Sequence, residues 1–253
     1  MRNIRIGIQY LGTNYHGWQI QATGPTIQGE IQKALRKITR ESIHIIGSGR
    51  TDAGVHAMRQ VANFLTESKI PATNLMKALN SLLPEDISIT DIQEVHASFH
   101  ARKDARKKTY IYRIMESHVR LPLFLNRAWV LKPRLDLQSI SEACACFIGT
   151  HDFKGIQKSG SSVKSTVRTV YECRLETNTP MLTGSRCLEI VIAANGFLRY
   201  MVRNIVGLLV EIGMGRLAPS HAKRILREAN RIYQFRTAPP YGLYLKDVFY
   251  DAS

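Results

Sequence analysis

Every second side chain is apolar in the stretch Ile4-Arg5-Ile6-Gly7-Ile8-Gln9-Tyr10. Successive side chains of a β-strand point to opposite faces, so this spacing predicts a strand that is buried on one face. The alternation also breaks up any continuous apolar segment near the N-terminus, and no secretory signal peptide is therefore expected. The chain is predicted to begin with a half-buried strand.

An amphipathic helix pattern follows this strand. Thr26 is a candidate N-cap, and Ile27, Ile31 and Leu35 then recur on one helical face. The rest of the first half predicts a short strand over residues 42–46, a strand over 59–65, a helix over 71–83 and a strand over 87–95. The resulting order is βαββαβ.

The second half shows a similar alternation of elements. Strands are predicted over residues 109–115, 167–176, 187–194 and 242–250, and helices over 137–148, 198–212 and directly after Pro219. We expect an α+β fold of two similar βαββαβ-like halves, of the ferredoxin or RRM type, with mixed or antiparallel sheets. The boundary is expected near residues 97–106, which separates an N-terminal domain of residues 1–100 from a C-terminal domain of residues 101–253.

The chain carries a large positive charge. Its 253 residues include 35 Lys and Arg against 20 Asp and Glu, which gives a formal net charge of +15 at pH 7. With 44% hydrophobic and 22% charged residues, the composition is too apolar for a disordered basic tail. A folded domain with a positive surface and a polyanionic partner is predicted.

The four cysteines and the longest apolar run narrow the class of protein further. Four cysteines in a chain of this length make no disulfide framework, and no second pair stands at zinc spacing, so reduced and buried thiols are expected. The apolar run near residues 205–210 ends at Glu211, far short of the ~20 residues of a membrane helix. We expect a soluble, cytoplasmic protein without a membrane partner.

Glycine is unusually frequent in Gly47-Ser48-Gly49-Arg50-Thr51-Asp52-Ala53-Gly54-Val55-His56. The spacing is neither that of a dinucleotide fingerprint nor that of a phosphate loop, so no nucleotide cofactor is expected. One interpretation is a turn in which Asp52 accepts local backbone hydrogen bonds. The other is a carboxylate held at the end of a strand, with Arg50 and His56 nearby, where it can act as a nucleophile or base.

Two histidines, His96 and His100, stand four residues apart as a helical metal pair would. The Glu of the zinc protease motif is missing between them, and the sequence offers no third ligand. No metal site is predicted.

A basic run, residues 102–108, precedes alternating aromatic residues in the middle of the chain. Strand alternation places Tyr110 and Tyr112 on one face. The run is either a solvated loop before core tyrosines or a phosphate-binding edge beside a base-stacking ring, and the charge of +15 favours the second interpretation. The candidate RNA-contacting residues are His56, Arg102, Arg106, Lys107 and Lys108.

Arginines near the C-terminus form two further candidates. Arg203 lies beside the apolar face of a predicted helix. It is either a surface arginine whose stem covers the core or, as the better hypothesis, the partner of a carboxylate of the other half, for which Asp52 is a candidate. A second cluster faces either RNA phosphates or water, and consists of Arg216, Lys223, Arg224, Arg227, Arg231 and Arg236.

Eight ordered blocks of the chain resemble the bacterial tRNA pseudouridine synthase A family. They lie at residues 15–19, 26–30, 49–57, 99–102, 110–112, 151–153, 201–207 and 239–245. Leu11 departs from the family, in which many members have Asp, and residues 154–166 follow the pattern loosely. These departures leave open how the chain would grip tRNA.

The resemblance implies two related α/β domains that flank a basic cleft, and a homodimer that binds tRNA. It implies isomerisation of uridine to pseudouridine at positions 38, 39 and 40 of the anticodon stem-loop, without cofactor or metal. Asp52 is then the nucleophile, Tyr110 packs against the target base and Arg203 pairs with Asp52. Arg50 enters the stem where the base leaves.

The reaction path stays open at this point, and two alternative functions remain. The residue types do not show whether Asp52 attacks C1′ or C6 of the nucleotide. They also leave open a third path, through a glycal, in which Tyr110 serves as the base. One alternative is a non-catalytic RNA-binding protein, although the RNA-binding signature of an RRM strand is missing. The other is a pseudouridine synthase that acts on another RNA, such as ribosomal RNA.

Overall fold

The chain folds into two compact units. The structure, a computed structural model, describes residues 1–158, 163–178, 185–230 and 234–251. The first unit holds residues 1–106 together with the chain from Tyr244 onward, and the second holds Lys107–Leu243. The sequence-based division assigned the residues after Tyr244 to the second half, whereas in the structure they belong to the first.

The first unit has the predicted βαββαβ order. Its elements are β1 (Arg2–Tyr10), α1 (Ile27–Thr39), β2 (Ile46–Gly47), β3 (His56–Thr66), α2 (Ala72–Leu82) and β4 (Ile87–Val95). Strand β1 lies between β3 and β4 and is antiparallel to both, and β2 pairs antiparallel with β3.

Local sequence explains where the first elements form. Ile4, Ile6 and Ile8 are fully buried, as the alternation along β1 predicts. The Thr26 side chain accepts a hydrogen bond from the Gly29 N–H at 3.2 Å, which confirms it as the N-cap of α1.

The second unit contains more elements than predicted. They are β5 (Lys107–Glu116), β6 (Trp129–Leu131), α3 (Leu137–Ala145), β7 (Gly149–Asp152), β8 (Val167–Asn178), β9 (Arg186–Ala194), α4 (Met201–Gly213) and α5 (Ser220–Glu228). Strands β5, β9, β8 and β7 form an antiparallel sheet in that order, and β6 pairs parallel with β5. The short strands β6 and β7 were not predicted, because three or four residues are too few to show an alternation.

The final strand, β10 (Leu243–Phe249), explains why the chain end belongs to the first unit. It pairs parallel with β3, where Tyr244 lies opposite His56 and Leu245 opposite Ala57. Both units therefore have mixed sheets and helices, and the predicted α+β class is confirmed.

Two further sequence expectations concern cysteines and membrane segments. All four cysteines are free thiols, of which Cys144 and Cys173 are buried while Cys146 and Cys187 are half-buried. Among the residues that the structure describes, no helix has the length and apolarity needed to span a membrane.

A pair of buried asparagines attaches residues 96–101 to the sheet of the first unit. Asn63 donates to the Asn3 side chain at 2.9 Å and accepts from the Ala101 N–H at 2.9 Å. Asn3 in turn donates to the backbone carbonyls of His96 and Phe99 at 3.1 and 2.9 Å. Both amides are almost completely buried, so the block around Phe99 is held by polar groups that water does not reach.

We expect Asn63→Ala to lower the free energy of unfolding by about 2–3 kcal/mol, because it leaves the buried Ala101 N–H without its acceptor. Leu65→Ala on the same strand is the matched control. Leu65 is 49% exposed, so its truncation should cost less than about 1 kcal/mol. Urea unfolding measures both, and equal losses would contradict the assigned role of Asn63.

Candidate functional site

The loop that carries Asp52, residues 48–55, connects β2 to β3 and is fixed to β3 at its start. The Ser48 N–H donates to the Val61 carbonyl at 2.7 Å, and the Ser48 hydroxyl donates to the Gln60 side chain at 2.6 Å. Gln60 also donates to the Gly49 carbonyl at 3.0 Å. Since Ser48 and Gln60 are fully buried, this end of the loop is held rigidly.

The centre of the loop is held by the last residue of β1 and by the segment that follows it. The hydroxyl groups of Tyr10 and Thr51 share a hydrogen bond of 2.8 Å, and the Thr51 carbonyl accepts from the Trp18 N–H at 3.1 Å. Burial raises the pKa of the Tyr10 phenol well above its usual value, so the hydroxyl stays neutral. Gly17 has a φ of +94°, and a Cβ there would lie 2.6 Å from the Thr51 carbonyl oxygen. Only glycine fits this approach.

Asp52 itself lies in a tight turn and is half-buried. Its backbone carbonyl accepts from the Val55 N–H at 3.2 Å, and Gly54, two residues after Asp52, has a φ of +78°. The Gly54 N–H donates to the Tyr15 carbonyl at 3.4 Å. The backbone on both sides of the carboxylate is thus fixed before any ligand binds.

The side chain of His56, directly after the loop, is buried inside the first unit. The ring is fully buried, its Nδ1 accepts from the Gly12 N–H at 2.9 Å, and it packs 4.7 Å from the Tyr244 ring. A Cβ at Gly12 would overlap the Val55 carbonyl oxygen, at 2.0 Å. The expectation that His56 contacts RNA is corrected, because a side chain without exposed surface supports the loop instead.

Arg50 differs from the rest of the loop because its side chain is exposed. Among the described residues it has no hydrogen bond or ion pair. Its guanidinium is therefore available to a ligand.

Tyr110 and Tyr112 both lie on β5 of the second unit, but they have different surroundings. The Tyr110 ring is 8% exposed and meets the Phe197 ring edge-on at 5.0 Å. Tyr112 is fully buried, and its hydroxyl donates to the Pro239 carbonyl at 2.8 Å. Tyr112 is a core residue whose pKa is raised by burial, whereas Tyr110 keeps some exposed surface.

Arg203 lies in the first turn of α4, which begins at Met201 and not at residue 198 as predicted. Its Nε donates to the Ala238 carbonyl at 2.8 Å, and the Ala238 N–H donates back to the Arg203 carbonyl at 3.1 Å. The guanidinium lies over the Tyr200 ring at 4.4 Å from its centroid. These contacts orient the side chain. Asp52 belongs to the first unit and Arg203 to the second, and their pairing stays a prediction.

The basic run has more varied surroundings than its sequence indicates. Arg102 is exposed, while Lys107 and Lys108 are half-buried at the start of β5. Arg106 pairs with Asp251 at 2.8 Å in an exposed ion pair. Such a pair contributes little to stability, so the arginine is available to a ligand.

The histidines of this region make local hydrogen bonds. His96 bonds the Ser98 hydroxyl at 2.7 Å, and the His100 Nδ1 accepts from the N–H of Arg102 at 3.2 Å. Within the described ranges there is no group of three or more His, Cys, Asp or Glu side chains that could hold a metal ion.

The C-terminal basic cluster lines part of a cleft in the second unit. The cleft has a volume of about 820 Å³, and its cationic side chains belong to Lys223, Arg224 and Arg227 of α5. Arg224 also pairs with Glu228 at 2.8 Å. Arg231 lies outside the described residues, as do positions 159–162 of the stretch that departs from the family pattern.

Sequence reasoning missed one cluster altogether. The Tyr200 ring has Lys158 and Arg199 beside it as well as Arg203. The pair Arg199-Tyr200 is visible in the sequence, but Lys158 comes from a distant segment.

Comparisons with known proteins extend over both units. A family model described as tRNA pseudouridine synthase matches residues 6–120 and 143–251. The tRNA pseudouridine synthase A of Thermoanaerobacter pseudethanolicus is 45% identical over 250 residues, which are 99% of this chain and 100% of the relative. The protein of the same name from Caldicellulosiruptor saccharolyticus is 45% identical over the same shares of both chains. The tRNA pseudouridine synthase A 2 of Clostridium perfringens is 44% identical, again over 99% and 100% of the two chains.

We expect Gly17→Ala to lower the free energy of unfolding by about 3 kcal/mol, because the new Cβ adds a clash with Thr51 to an unfavourable φ. Gly215→Ala is the matched control, since Gly215 also has a positive φ, +72°, but nothing lies within 4 Å of its Cβ position. That variant should cost only about 1 kcal/mol. Equal costs in urea unfolding would show that Gly17 does not hold the loop.

Proposed function

We propose that this chain, which belongs to the tRNA pseudouridine synthase family, converts uridine to pseudouridine at positions 38, 39 and 40 of the tRNA anticodon stem-loop. Family membership makes it an isomerase. The observation that carries the assignment of the nucleophile is the fixed loop that presents Asp52, because a nucleophile must be positioned before the substrate arrives. We assign Asp52 as that nucleophile, acting without a cofactor.

The reaction itself demands little beyond one carboxylate and a shaped pocket. The bond from N1 to C1′ breaks, the uracil turns, and a bond from C5 to C1′ forms. C5 loses a proton and N1 gains one, so no electron donor or acceptor is needed. Attack at C1′, attack at C6 and loss of the C2′ proton all fit a single carboxylate, and Tyr110 could act as the base in the last case.

Three further residues receive roles in this proposal. Tyr110, which keeps some exposed surface beside Phe197, packs against the target base. Arg203, oriented by Ala238 and Tyr200, pairs with Asp52 and favours its ionised form. Arg50 enters the stem in place of the flipped base, which offsets part of the few kcal/mol of unstacking.

Assembly and location follow from the same proposal. A tRNA substrate implies a cytoplasmic enzyme, and we propose a homodimer that binds tRNA. A monomeric mass by light scattering would remove the dimer, and competition between tRNA and ribosomal RNA fragments tests the substrate class.

We expect Asp52→Asn to abolish tritium release from an anticodon-arm transcript labelled at C5 of uridine, while tRNA binding stays within about twofold. C5 loses its hydrogen only when it becomes the new glycosidic carbon, and the amide is a far weaker nucleophile. Asp91→Asn is the matched control, because Asp91 is also half-exposed in the first unit and lies 3.9 Å from Arg5. It should release tritium at the wild-type rate.

Normal turnover by Asp52→Asn would refute its role as nucleophile. Tight binding of tRNA without tritium release by the wild-type protein would favour the non-catalytic RNA-binding alternative.

The net charge of +15 leads to a prediction about salt. Lys and Arg that neutralise phosphates release bound counterions, so the tRNA affinity should fall at least about tenfold between 50 and 200 mM salt, as expected for two or more phosphate contacts. Fluorescence anisotropy with labelled tRNA measures this loss. An affinity that does not change with salt would contradict an electrostatic interface.

A further inference from the structure

Three cations of the second unit surround one aromatic ring. The Lys158 Nζ lies 4.9 Å from the centroid of the Tyr200 ring, the Arg199 guanidinium carbon 5.5 Å and the Arg203 guanidinium carbon 4.4 Å. All three charges lie within 5.5 Å of the same centroid, so any two of them are separated by no more than twice that distance. That separation is about one Debye length at 0.1 M ionic strength, so the charges repel one another at low salt.

The backbone holds these groups together from two distant segments. Lys158 donates its N–H to the Arg199 carbonyl at 3.0 Å, which keeps the two exposed cations adjacent. Tyr200 is the N-cap of α4 and has a φ of +62°. A tyrosine rarely adopts this left-handed conformation, and residues of this kind occur where surrounding structure or function requires them.

Two of these three cations, Lys158 and Arg199, have little negative charge near them. Lys158 and Arg199 are exposed, and neither has a carboxylate within ion-pair distance in the described part of the chain. The first turn of α4 contains no acidic residue, although the positive end of the helix dipole would favour one. Residues 159–162, next to Lys158, contain neither Asp nor Glu. An anion bound here would relieve the repulsion.

The geometry favours a phosphate group over a nucleobase as the group that binds here. Cations already lie beside the Tyr200 ring, so a base would have to displace them in order to stack. An ammonium and a guanidinium held near one ring suit the oxygens of a phosphodiester. Contacts of this kind position a nucleic acid without reading its sequence.

We propose that Lys158 and Arg199, held on the Tyr200 ring, bind a backbone phosphate of the RNA substrate. The inference rests on the proposed function, because the ring that gathers these cations also orients Arg203. The phosphate would then lie near the nucleotide that reacts, and its binding would set the register of the strand.

Lys158→Gln and Arg199→Gln test this site in the full-length protein, with a fluorescent anticodon stem-loop RNA as the probe. Each should weaken binding about tenfold at 50 mM salt and lower the slope of log affinity against log salt by about one. Arg199→Lys keeps the charge and should recover most of the affinity. Lys132→Gln is the matched control, because Lys132 is an exposed lysine of the same unit outside the cluster.

Thermal unfolding without RNA separates loss of binding from loss of folding. At low salt both glutamine variants should unfold at or above the wild-type temperature, because a repulsive charge is removed. Added inorganic phosphate should stabilise the wild-type protein more than either variant. A lowered unfolding temperature in the variants, or equal stabilisation by phosphate, would count against the site.

The outcomes also separate this site from the proposed reaction. If Lys158→Gln and Arg199→Gln bind RNA within twofold of Lys132→Gln and with the same salt slope, the phosphate site is refuted. If they lose affinity as expected while the wild-type protein releases no tritium, the site stands and the reaction fails.

Discussion

The close approach of two backbone segments determines where the carboxylate of Asp52 lies. The segment after β1 contacts the Asp52 loop at two places, where Gly17 meets Thr51 and Gly12 meets Val55. A side chain at either glycine would push the segments apart. The loop gains its rigidity from hydrogen bonds to this segment and to β3, so its conformation depends on the sheet and not on a ligand.

Local patterns were readable from the sequence because their causes lie within a few residues. The alternation along β1 and the Thr26 cap were predicted for this reason. The parallel pairing of β10 with β3 was not, because a strand's partner is chosen by tertiary packing. The buried asparagines illustrate the same limit: the partners of Asn3 lie 60 to 96 residues away, and its residue type alone indicates an exposed position.

The candidate site shows a similar division. Asp52 was identified because its glycine-rich block is unusual and because that block resembles a family. His56 belongs to the same block but was assigned to RNA, since a sequence does not show that Gly12 donates to its ring. The cluster at Tyr200 was missed because it combines Lys158 with residues about 40 positions later, and only the fold brings these together.

A fixed carboxylate and a cluster of like charges make different demands on stability. The Asp52 loop is held by buried hydrogen bonds that also stabilise the free protein, so preorganisation there has no cost to folding. The cations around Tyr200 repel one another in the free protein, and an anion bound to Lys158 and Arg199 would reduce that repulsion. In the proposed complex, binding energy from the RNA backbone offsets part of the unstacking of the target base, which a rigid loop alone cannot supply. The two proposals together assign the chemistry to the stable loop around Asp52 and part of the RNA affinity to the charged cluster at Tyr200.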